Sequence, residues 1–267
     1  MLSEVLETTP GRGRVINIAT APSTSVCWQM LVTGASLPSS SYHPVLVDEH
    51  FIVVDKDAGL LTVPGRGVGK EDCLISRLRS VYREIENVPH RLDRDTSGLV
   101  VIGRSAAAHR ALATAFQERL VKKRYEALCF GWPDNEEGEV DRPIDKVRLP
   151  GEEFARMRLV APPDGRPSLT RWRVLERCTR DEDEDVRWSR VELRPITGRA
   201  HQLRLHMSGI GHPILGDELH GTEEAREGVA RLCLHASALE FPHPLSGETV
   251  RVASPRGWGE PGMEIFL

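Results

Sequence analysis

The chain of 267 residues is poor in the features that assign a protein quickly. No apolar run approaches the roughly 20 residues needed to cross a bilayer, so no membrane partner is expected. The first residues lack the basic start and continuous apolar core of a secretory signal. Five cysteines (Cys27, Cys73, Cys129, Cys178, Cys233) are scattered, with no Cys-x-x-Cys pair. Neither a disulfide framework nor a zinc ribbon is indicated. A reducing, cytoplasmic compartment is the expectation. No internal repeat is visible.

What is present is an ordinary globular composition, with 40% hydrophobic residues and a length sufficient for one large core or two modest ones. The net charge of −4 speaks mildly against a polyanionic partner, but the average hides a pattern. Acid concentrates in residues 134–141 and in the run Asp181-Glu182-Asp183-Glu184-Asp185. Base concentrates between Arg77 and Arg124, including Arg91, Arg94, Arg104, Arg110, Arg119, Lys122 and Lys123. Local field matters more than net charge to a polyanion.

Residues 1–43 are rich in Ser, Thr and Pro and read as a poorly ordered or loosely docked N-terminal extension, with Cys27–Val32 a possible added strand. Abundant serine and sparse acid give organellar targeting by this segment a small case. Residues 44–267 read as the folded domain. Strands are expected at 45–47, 51–54, 99–102, 124–130, 156–160, 169–176, 186–193, 231–240 and 249–253. Helices are expected at 73–85, from a Ser105 cap to about Leu120, and at 200–210, the last closed by Gly209 and Gly211. Many strands, few helices and hairpin-length connections predict an α+β fold around a mixed, largely antiparallel central sheet.

The stretch His90-Arg91-Leu92-Asp93-Arg94-Asp95-Thr96-Ser97-Gly98 places Asp93 between two arginines, in a polar turn before the apolar run 99–102. Charge so close to a buried strand is costly unless partners stabilise it, and perturbed, reactive carboxylates gather at such places. Asp93-x-Asp95 with Gly216-Asp217 is also compatible with a metal-dependent phosphohydrolase, but that chemistry expects the apolar strand before the aspartate. The loop Pro64-Gly65-Arg66-Gly67-Val68-Gly69-Lys70 departs from a phosphate-binding loop: Pro64 replaces the first glycine and Glu71 follows the lysine. No nucleotide cofactor is therefore expected. His201 and His206 lie five apart and share a helix face poorly, so no metal site is expected. Arg204, flanked by Leu203 and Leu205, is expected to be partly buried and so to need an anion.

Three blocks in order resemble the RluA family of RNA pseudouridine synthases: His90-Arg91-Leu92-Asp93 with Thr96-Ser97-Gly98; Lys122-Lys123-Arg124-Tyr125; and Thr197-Gly198-Arg199 with His201 to Met207 and Gly211 to Asp217. The similarity spans about residues 44 to 257 and is greatest to the branch with dual specificity for tRNA and large-subunit rRNA, which lacks an S4 domain. One departure is Asp55-Lys56-Asp57, where the family has Asn-Lys-Pro; it adds negative charge near the expected RNA surface.

The resemblance implies a pseudouridine synthase fold, a curved sheet flanked by helices with an active-site cleft across it. It implies cofactor-free isomerisation of uridine in structured RNA, with base flipping, by a chain acting as a monomer. Asp93 would attack C1′ or remove the C2′ proton, Arg204 would hold it ionised, and Tyr125 would stack on the base and serve proton transfer at C5. Arg91 would fill the gap left by the flipped base or hold a phosphate. Thr96 and Ser97 would shape the Asp93 loop, and Leu215 would pack under the uracil. Lys122, Lys123, Arg124 and Arg199 would contact phosphates, with His201 at the substrate surface. A non-catalytic RNA-binding protein or chaperone on the same fold stays open as the alternative.

Overall fold

The computed structural model describes residues 16–18, 42–65, 71–82, 84–180, 183–227 and 229–257. The segment Cys27–Val32 and the glycine loop from Arg66 to Lys70 lie outside the described residues. In chain order the elements are β1 (Ile16–Ile18), β2 (Tyr42–Val47), β3 (Phe51–Lys56), α1 (Leu74–Val81), β4 (Ser97–Gly103), α2 (Ala106–Gln117) and β5 (Lys122–Phe130). There follow β6 (Glu137–Asp141), β7 (Ile144–Val147), β8 (Arg156–Leu159), β9 (Leu169–Arg180), β10 (Asp183–Pro195), α3 (Gln202–Gly209), α4 (Glu223–Arg226), β11 (Leu234–Pro242) and β12 (Thr249–Ala253). The fold is α+β, largely antiparallel and poor in helix, as expected from the spacing of apolar runs. Only the β1–β12 pairing is parallel among those described in register.

The chain forms two compact units. The first takes residues up to Lys123 together with those from Ala236 onward. In it β2 pairs with β3 and β3 with β4, while β12 pairs with both β11 and β1. Its core joins Phe51, Val53, Leu99, Val101, Leu112, Leu239, Phe241, Val250 and Val252, all 3% exposed or less. Phe51 and Phe241 meet edge to face at 5.2 Å, a favoured aromatic geometry. Helix α2 contributes Leu112 and Ala115 to this core, and Ser105 caps it, its side chain accepting from the Ala108 amide.

The second unit runs from Arg124 to His235. Its strands follow the order β5–β10–β9–β6, all antiparallel, with β7–β8 a separate hairpin. Along β5, Ala127, Leu128 and Cys129 are all fully buried, so both faces of the strand are covered there rather than one as the expected alternation implies.

Several element ends differ from their sequence reading, and two helix ends have a clear backbone cause. Helix α1 stops at Val81, because Tyr82 is extended at φ −114°, whereas the apolar spacing ran on to Ile85. Helix α3 starts at Gln202 rather than Ala200, because His201 adopts a left-handed conformation with φ 57°. Strand β6 lies in the segment read as an acid cluster. Its Glu139 pairs with Arg171 of β9 at 2.5 Å, so part of that acid forms a cross-strand ladder.

Candidate active site

In the first unit, Asp93 is partly buried in a tight turn before β4, its carbonyl accepting from the Thr96 amide at 3.2 Å. Three anchors fix the loop. Buried Thr62 bonds Leu92 in both directions: its hydroxyl donates to the Leu92 carbonyl at 2.8 Å and accepts from the Leu92 amide at 3.2 Å. His90 accepts from the Val101 amide of β4 at 3.1 Å and stacks on Phe116 at 4.3 Å. Burial, then the Lys123 charge, pulls the His90 pKa down to about 3, so the ring is a neutral acceptor.

The third anchor is Lys56. Its side chain is fully buried, and Nζ donates to the carbonyls of Leu60 at 2.8 Å, Asp57 at 2.9 Å and Arg94 at 3.0 Å. Arg94 is the residue after Asp93, so this ammonium holds the turn from beneath. Burial lowers the Lys56 pKa to about 7, against the opposing charges of Asp95, Asp57, Asp93 and Asp55. Sequence reasoning missed this role because a lysine between two aspartates reads as surface. The signal available was its position at the end of an otherwise buried strand.

The flanking aspartates do not present the negative surface expected of them. Asp55 is fully buried, and Arg256 forks onto both carboxylates, while Ser254 donates to Asp55. The departure from the family pattern is thus charge-compensated within the unit.

Thr96 and Ser97 are buried in the loop that carries Asp93. Gly98 has φ +111°, and a Cβ there would fall inside the backbone of Ala236, so no other residue fits. Arg91 is exposed, and Arg94 pairs with Asp95 at 2.8 Å. Lys122 is 76% exposed and bonded to Glu240 at 2.6 Å. Burial lowers the Lys123 pKa, helped by Arg119.

In the second unit, Tyr125 is half-buried on β5, opposite Leu193 of β10. Arg124 reaches the buried carboxylate of Glu192 at 3.7 Å, which also receives Arg194 at 2.7 Å and Arg173 at 3.5 Å. Three guanidiniums thus converge on one buried carboxylate, beside the further cross-strand pairs Arg171–Glu139 and Arg190–Glu126.

Helix α3 carries Arg204, buried at 4% exposure as its apolar flanks required. Within the second unit, a buried anion that meets it is Asp217. Nε donates to one carboxylate oxygen at 2.8 Å and Nη2 to the other at 2.5 Å, a bidentate fork. Asp217 also accepts the Leu219 and His220 amides, both at 3.0 Å. Burial would raise its pKa, but Arg204 and the two amides outweigh burial and hold it below the usual carboxylate range. With four donors aimed at it, Asp217 is built as an acceptor of N–H groups, which disfavours the metal-ligand role weighed for it.

Gln202 was not singled out in the sequence, yet it fixes the start of α3. Its Oε1 accepts from Thr197 at 2.8 Å and from the Arg199 amide at 3.0 Å, and its Nε2 donates to the Leu169 carbonyl at 3.0 Å. This closes the Thr197-Gly198-Arg199 turn onto β9. Arg199 is half-buried and donates through Nε to the Pro167 carbonyl at 3.3 Å. His201 bonds His220 ring to ring at 2.8 Å. His206 lies between Thr170 and the Arg142 carbonyl, and His212 contacts the Phe130 carbonyl. Leu215 is buried, held by backbone bonds to Leu128 and Cys233. Among the described residues no cluster of His, Cys, Asp or Glu is arranged to hold a metal ion.

The fold and these blocks define an enzyme that acts on RNA bases, and the comparisons agree. Residues 50–209 match the RNA pseudouridylate synthase family, and the chain belongs to it. It is 44% identical over 204 residues to the dual-specificity RNA pseudouridine synthase RluA of Vibrio parahaemolyticus, covering 76% of this chain and 78% of the relative. To the Escherichia coli protein of the same name it is 40% identical over 210 residues, covering 78% and 90%. Among solved structures it resembles human RNA pseudouridylate synthase domain containing 1, with a TM-score of 0.70, 29% identity and coverage of 87% and 89%.

Proposed function

We propose that this chain isomerises uridines in hairpin loops of both tRNA and large-subunit rRNA, with Asp93 as the reacting carboxylate. The observation that carries the reading is the mounting of Asp93: a carboxylate in a turn fixed by Lys56, Thr62 and His90, ahead of a buried strand, while its neighbour Asp95 is paired with Arg94. Such anchoring fits a group that must keep one geometry while the base is detached and rejoined. The dual specificity named in the relatives at 40–44% identity supports the choice of RNA.

The chemistry needs no metal, nucleotide or redox partner in this reading. Asp93 attacks C1′ or removes the C2′ proton, and Arg204 keeps it ionised and aimed. A guanidinium has five N–H donors, so the fork to Asp217 does not exhaust it. Tyr125 stacks on the uracil, and its hydroxyl handles the proton at C5. Arg91 occupies the space of the flipped base or a phosphate. Thr96 and Ser97 shape the loop, and Leu215 supports the base. Lys122, Lys123, Arg124, Arg199 and His201 face the RNA backbone. Residues 44–267 form the catalytic part, acting as a monomer in the cytoplasm.

Site-resolved pseudouridine mapping of total RNA, with and without the protein, tests the choice of substrate. The expected result is loss of signal at a tRNA loop and at a large-subunit rRNA hairpin when the protein is absent. Loss at neither contradicts the substrate reading.

A further inference from the structure

Helix α3 begins on a strained residue. His201 has φ 57° without being glycine, and its side chain makes no cap bond to the helix. Non-glycine residues are uncommon in that region, histidine being among those that enter it more often, and such a conformation persists where the surroundings fix it. What meets it is the ring of His220, at 2.8 Å between His201 Nδ1 and His220 Nε2. The two rings also lie edge to face, 5.1 Å between centroids.

His220 is tied in two further directions. Its carbonyl accepts from the Ser208 hydroxyl at 2.7 Å, near the far end of α3. Its amide donates to Asp217 Oδ1 at 3.0 Å, the same oxygen that accepts from Arg204 Nη2. One residue therefore joins the first turn of α3, its last turn and the carboxylate that grips Arg204. We propose that His220 is a positioning residue: through His201, Ser208 and Asp217 it sets the orientation in which α3 presents the Arg204 guanidinium. The proposal rests on the reading of Arg204 as part of the reacting group.

The test uses the full chain, the hairpin transcript that the mapping identifies, and two variants. His220→Leu removes the ring bond, and His220→Gln keeps a polar atom near the Nε2 position. Small misplacements of a reacting group cost up to about 100-fold in rate. In His220→Leu, kcat is expected to fall about 10- to 100-fold, with KM for RNA changed by less than about twofold. His220→Gln is expected to keep kcat within about threefold of wild type. In ¹⁵N-resolved spectra of the free protein, the Arg204 Nε–H signal, assigned by its loss in Arg204→Lys, should shift in the Leu variant and return in the Gln variant.

Wild-type kcat and an unmoved Arg204 signal in His220→Leu overturn the proposal, as does equal impairment in both variants. A shifted Arg204 signal with undiminished turnover shows that His220 orients Arg204 but that Arg204 does not act; the reading of Arg204 then fails. If the mapping yields no substrate, the free-protein signal alone decides whether His220 holds Arg204.

Discussion

At the scale of single residues, the side chains that matter are those forced into unusual protonation or burial. His90 titrates near pH 3 in the folded chain and near 6.5 when exposed. Between those values the unfolded chain binds a proton that the folded chain refuses, so this contribution to stability declines as pH falls from about 6.5 toward 3, by at most about 1.4 kcal/mol per pH unit. Urea denaturation at pH 7, 6, 5 and 4 should show the stability advantage of wild type over His90→Gln shrinking as pH falls. An advantage that stays constant with pH contradicts the neutral, buried ring. Much of this residue-level picture was legible in the sequence. Arg204 had to be buried by its apolar flanks and had to find an anion. That the buried fork is made by Asp217 was not legible, because the turn after Gly216, with φ +72°, aims it. The role of Lys56 was hidden for the converse reason: its charged neighbours in sequence imply solvent, while the strand that carries it is buried from Phe51 onward.

At the scale of elements, the first unit is closed by the Arg256 fork onto the end of β3. Burial alone would lower the Arg256 pKa, but bonds to Asp55 and Asp57 raise it. Removing one partner of such a buried pair leaves the other uncompensated, at a cost of about 3–5 kcal/mol. Arg256→Met is therefore expected to lose about that much stability by denaturant titration. Adding Asp55→Asn to it should recover part of the loss, since the amide needs no cation. Strictly additive losses in the two single variants and the double would show that Asp55 and Arg256 do not interact. A strand with two-residue alternation of burial, such as β12, was readable from sequence. The hairpin β7–β8 was only half readable. Its first strand, Ile-Asp-Lys-Val, follows a proline and has a single fully buried side chain, Ile144, so little periodicity marks it. The starting point of α3 was shifted by the backbone of His201, and no composition rule reports a left-handed histidine.

At the scale of the whole molecule, the net charge of −4 describes the surface poorly. Acid is spent within each unit: Glu240 binds Lys122 and Arg251, and Glu192 gathers three arginines. Part of the basic segment is spent as well, in Arg77 with Asp72 and Arg94 with Asp95. The division into two units falls inside β5 and inside β11, where no linker or change in composition marks it. The family blocks, by contrast, could be read directly, because each combines residue types that packing alone does not require. The proposed chemistry depends most on Asp93. The most direct measurement is pseudouridine formation by Asp93→Asn on the mapped hairpin, with RNA affinity determined in parallel. The expected result is no product above background and an affinity within about threefold of wild type. Retention of about a tenth of wild-type turnover or more would contradict the assignment.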